Sequence, residues 1–173
     1  SRAMQTDLED HYGFFDGLHE QWVEYLNRGD LPAHMWFFLQ EDQVKARAGV
    51  SAVNKKDPEW QRKLIMACAA NYCWKDVRTR CNHGLGGSAA LSRLRSSEPG
   101  LHAAVMDESN AFSAVVVPEW MIPHFACPPV RAREVWTKLS PTQRMEWGPD
   151  KQIYPTYGRL PMGCSHSVHI LMA

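Results

Sequence analysis

The sequence predicts an α+β fold, and three observations carry that reading. Apolar residues recur at helical spacing near the N-terminus. A charged turn separates two short runs between Val50 and Ile65, the first of them alternating. A β-branched trio, Val115 to Val117, is stopped by Pro118. With 173 residues, 45% of them hydrophobic and 22% charged, the chain has the composition of a folded protein able to bury a substantial core.

The first helix is expected from Thr6-x-x-Glu9, whose spacing is that of a capping box. Leu8, Tyr12, Phe15, Trp22 and Leu26 follow on one face. Gly13 and Gly17 weaken that helix, each by about 1 kcal/mol relative to alanine. Asn27-Arg28-Gly29-Asp30 and Pro32 end it. A second helix is expected over 33–48, with the dense run Met35-Trp36-Phe37-Phe38-Leu39 in the core. Val50 to Val53 and Gln61 to Ile65 then read as two strands around Asn54 to Trp60.

Asn71 to Arg80 reads as a loop or short helix. His83 to Ser88 reads as a glycine-rich turn without the lysine and hydroxyl residue of a phosphate loop, and Ala89 to Arg95 as one or two helical turns. Ala132 to Lys138 suits a short helix. Another begins at Ser140, the N-cap, with Pro141 in its first position. Tyr154, Tyr157 and Leu160 belong to an extended stretch, and a terminal helix is expected from Ser165.

Two stretches carry a resemblance. The first is AAVMDESNAFSAVVVP, from Ala103 to Pro118, in which Asp107 is followed by Ala111 and Phe112. The second is Arg159-Leu160-Pro161-Met162-Gly163, with Ser167 four residues after the glycine. Their order and separation resemble the palm of retroelement reverse transcriptases. Upstream, Val53, Lys55, Lys56, Asp57, Arg62, Leu64, Ile65 and Asn71 match that family's finger hairpin, while Met66 and Cys68 stand where it usually has Asp and Arg.

The resemblance implies a partial right-hand polymerase. It would comprise an N-terminal helical segment (1–48), a fingers-like region (49–100) and a partial palm-like region (101–173). It implies Asp107 as catalytic carboxylate and magnesium ligand. Lys55, Lys56, Arg62 and Lys63 would hold a triphosphate, and Phe112 would act as the aromatic gate. Pro161, Met162, Gly163 and Ser167 would lie along the template and nucleotide pocket. Two magnesium ions need bridging carboxylates, and one Asp cannot bridge both. The third palm motif, an Asp-Asp hairpin, falls beyond Ala173, so the expected fragment does not polymerise by itself.

Other readings of the same residues stay open. Two lysines and an arginine also describe a solvated hairpin, and Phe112 an ordinary core residue. Cys164, His166 and His169 could form a zinc set only if the backbone gathered them. Nineteen basic and nineteen acidic residues give a net charge of +0, without the basic footprint of a strong nucleic-acid binder. Any such binding is therefore expected to be weak. The alternative function is a non-catalytic structural or interaction subunit of a larger assembly, and an RNA-binding adaptor comes third. Five irregularly spaced cysteines suggest reduced thiols in an intracellular reducing compartment. No apolar run reaches the length of a membrane span.

Overall fold

The computed structural model describes residues 1–57, 59, 61–74, 93 and 110–171, and these combine short helices with short antiparallel strands. The expected α+β class holds at that level. The expected turn at 83–88 and helix at 89–95 lie outside the described residues, as does the stretch ending at Asp107.

The single N-terminal helix is instead two, α1 (Arg2–Tyr12) and α2 (His19–Asn27). The Ser1 hydroxyl, not Thr6, caps α1 by accepting from Met4 N. Thr6 lies inside the helix and donates back to the Arg2 carbonyl. Helix α1 buries no residue. It docks through polar groups, the Gln5 amide donating to Lys45 O at 2.7 Å and the Glu9 carboxylate accepting from Arg47 N at 3.0 Å. Helix α2 buries Trp22 and Leu26. The Trp22 ring stacks on Phe15 and Tyr25, meets Trp36 edge-on, and donates its indole N–H to Pro128 O at 2.9 Å.

The helix expected over 33–48 is absent. Its aromatic run forms β1 (Trp36–Leu39), followed by a 3-10 turn at Glu41–Gln43 and an extended segment into β2 (Gly49–Asn54). Bulky aromatics suit a pleated surface, and β1 finds its partner far along the chain. It pairs antiparallel with β5 (Gln152–Tyr157), Trp36 opposite Tyr157 and Leu39 opposite Tyr154. Strand β4 (Val130–Arg131) covers the other side of β5, giving the order β1-β5-β4. The strand pairing thus joins the 1–48 segment to the 101–173 segment.

The expected hairpin forms. Strand β2 pairs with β3 (Gln61–Met66) in continuous register from Gly49–Met66 to Asn54–Gln61. Its base is clamped by the preceding chain. A Cβ on Gly49 would sit 1.9 Å from Tyr12 O, so only glycine fits there. Ala126 ties hairpin and sheet together, bridging to Thr156 on one side and Arg47 on the other. Around it Tyr157 N donates to Phe125 O and Ala48 N to Ala126 O.

Short elements complete the fold. Helix α3 (Cys68–Cys73) follows β3, and α4 (Ala111–Ala114) precedes the Val115–Val117 stretch. A 3-10 segment at Glu119–His124 leads to the bridging residue Ala126. Ala132–Lys138 is 3-10 rather than α-helical, broken at Val135. Helix α5 (Pro141–Glu146) starts as expected, the Ser140 hydroxyl accepting from Gln143 N and Pro141 standing in its first turn. Helix α6 spans Ser167–Leu171. The core cluster draws on Trp22, Phe38, Ile65, Phe125, Ile153, Tyr157 and Leu160. No described helix is long and apolar enough to cross a membrane.

Candidate functional site

The β2–β3 hairpin separates the four expected basic residues into two environments. Side chains of successive strand residues point to opposite faces. Arg62, opposite Val53, is exposed, and so are Lys55 and Lys56 in the turn. Together with Val53, Asn54 and Asp57 they line an open concavity of about 490 Å³ at the hairpin tip. The Gln61 amide closes that end by donating to Asn54 Oδ1 at 3.2 Å. Three cations around one open surface can meet phosphate oxygens through charge-assisted hydrogen bonds.

Lys63 faces the other way, onto the sheet. Its Nζ lies 4.1 Å from the centroid of the Tyr157 ring, 5.4 Å from Trp36 and 5.8 Å from Tyr25. It donates to the Tyr25 hydroxyl at 3.2 Å and to the Met35 sulfur at 3.4 Å. Among the described residues no carboxylate forms an ion pair with it. Burial pushes its pKa down from the usual 10.5 to about 8. The same burial pushes the Tyr25 phenol up to about 12 and holds the Cys127 thiol protonated. Lys63 is therefore set apart from the three tip cations. Its inward position has a local signal in the sequence: it lies two residues before Ile65 on one strand, hence on the same face, and Ile65 is buried.

The two stretches that carry the palm resemblance meet where both are described. Val116 bridges Arg159, Val117 N donates to Gly158 O, and Leu160 N donates to Val115 O. Phe112, on α4, is half-buried and packs against the core. Pro161 is buried, and its carbonyl accepts from the buried Ser167 hydroxyl at 2.6 Å and from Cys164 N at 3.1 Å. Met162 is exposed. Gly163 lies against β3, where a Cβ would come within 2.4 Å of Ile65 O. Asn71 on α3 holds this turn from both sides, donating to Gly163 O and accepting from Ser165 N, each at 2.8 Å.

The Pro161–Gly163 turn thus sits at the base of the hairpin. Lys55 and Lys56 lie past Gln61 at its other end, at least about 13 Å away at the strand rise per residue. Asp107 lies outside the described residues. Among the described residues no group of three His, Cys, Asp or Glu side chains gathers to hold a metal ion, and Cys164, His166 and His169 form no such set. The His166 ring instead shares a hydrogen bond with the Ser165 hydroxyl and meets Trp74 edge-on.

Sequence reasoning missed two further features. One is the Lys63 cage, built from α2, β1 and β5, which no local pattern connects. The other is an aromatic cluster in which Trp74 contacts Trp120, His124, Phe125 and His166, leaving Trp120 60% exposed. Comparison of the chain with protein-family models, curated proteins and solved structures finds no match.

Proposed function

We propose that this chain carries reverse-transcriptase-like fingers and palm elements. It engages nucleic-acid phosphate through its hairpin tip. The observation that carries the reading is the convergence of Lys55, Lys56 and Arg62 on one open concavity, on a hairpin at the place the resemblance implies. The adjacency of the Val115–Val117 and Gly158–Leu160 stretches also supports it. Three cations and a net charge of +0 limit the interaction to a weak, sequence-independent one.

Fluorescence anisotropy with a labelled single-stranded oligonucleotide tests this across a salt series. Three phosphate contacts give a log–log salt slope of about −2 for single strands. Lys55→Glu combined with Lys56→Glu should abolish most of the binding. Binding that keeps its affinity in the double variant would refute the reading.

The second reading is an interaction subunit of a larger assembly. The exposed Trp120 over the Trp74 ring favours it, since large exposed aromatics are enriched in binding surfaces. If that reading holds, the protein sediments with a partner chain, and Trp120→Ala releases it while leaving nucleic-acid binding intact.

A further inference from the structure

We propose that Lys63 is a nucleophilic amine, a site at which the protein captures a carbonyl compound with an apolar or aromatic body as an imine. The inference is independent of the hairpin-tip reading. Lys63 is half-buried and so still reachable from solvent, and even partial burial of an ammonium group without a carboxylate is costly. Such an arrangement activates an amine by removing it from water. The surroundings also select a ligand class. The rings of Tyr25, Trp36 and Tyr157 and the Met35 thioether present flat apolar surfaces around Nζ. The described residues around Nζ offer no carboxylate partner for a second amine.

Tyr25 adds the proton chemistry. Its hydroxyl is 3.2 Å from Nζ, and burial keeps the phenol protonated. The Nζ lone pair forms the N–C bond to the carbonyl carbon as the C=O π pair moves to oxygen. A proton passes from nitrogen to that oxygen, giving a carbinolamine. The phenol then protonates the hydroxyl, which leaves as water. The remaining N–H proton returns to the phenolate, so that one aldehyde and one amine yield one imine and one water.

With a pKa of about 8, about a quarter of Lys63 is free base at pH 7.5. An ordinary lysine is about one-thousandth free base at that pH. Lower basicity also lowers intrinsic nucleophilicity, which takes back about a tenfold part of that gain. Reaction about tenfold faster than at an ordinary lysine remains.

The test uses benzaldehyde as probe with cyanoborohydride to trap the imine, on the folded chain at pH 7.5, read by peptide mass mapping. Lys63 should be alkylated about tenfold faster than Lys55 and Lys56, and the ratio should collapse to near one in denaturing urea. Tyr25→Phe keeps the ring and removes the hydroxyl, and should slow Lys63 labelling at least about tenfold while it stays folded by circular dichroism. Labelling at Lys63 no faster than at Lys55 and Lys56 would overturn the proposal. So would a preference that persists in urea, because it would then owe nothing to the cage.

Discussion

Replacing Lys63 by methionine should stabilise the protein. Methionine keeps the unbranched stem and fills the cage without a charge. The displacement of the Lys63 pKa from 10.5 to about 8 corresponds to about 3 kcal/mol disfavouring the charged form in the folded state. Ring contacts with Tyr157, Trp36 and Tyr25 act the other way and are lost on substitution, by about 1 to 2 kcal/mol. A net gain of about 1 to 2 kcal/mol near pH 7 is left.

The pH dependence isolates the cause. Between about 8 and 10.5 the unfolded chain binds the proton that the folded chain has released, so stability rises with pH across that window. The penalty is complete below about 8 and absent above 10.5. Urea denaturation of both proteins at pH 7, 8, 9 and 10 measures it. Wild type should gain about 2 to 3 kcal/mol on the variant between pH 7 and pH 10, so the two curves should meet and cross. A Lys63→Met protein destabilised by more than about 1 kcal/mol at pH 7 would mean that the rings outweigh desolvation, and would refute the reasoning.

Two further substitutions probe the turn at the base of the hairpin. Asn71→Ala removes both hydrogen bonds that hold Gly163 and Ser165, and should lower stability by about 1 to 2 kcal/mol in urea denaturation. Ser167→Ala leaves the buried Pro161 carbonyl with only the Cys164 N–H and should cost about 1 kcal/mol, read as a lower thermal midpoint.

Local chemistry by itself determined several elements of this protein. The hairpin was legible because a charged turn separates two strand-like runs, and its pairing needs only neighbouring residues. Ser140 and Pro141 announced α5 because a side-chain cap and a fixed φ act within one turn. The extended stretch at Tyr154 and Tyr157 and the short C-terminal helix were equally local. Gly13 and Gly17 carried the information that the first helix would divide, but their cost had to be weighed against packing that the sequence does not display.

Only the tertiary structure decided the rest. Residues 36–39 are a strand because β5, more than a hundred residues later, offers its backbone donors and acceptors. A dense aromatic run has no period of its own to reveal that choice. In one dimension the four basic residues form one group, although Lys63 shares a strand face with Ile65. The turn leaves Lys55 and Lys56 in solvent, while the pleat of β3 sends Arg62 outward and Lys63 into rings supplied by α2, β1 and β5. A lysine's pKa follows from what surrounds it, and those surroundings exist only once distant segments have packed.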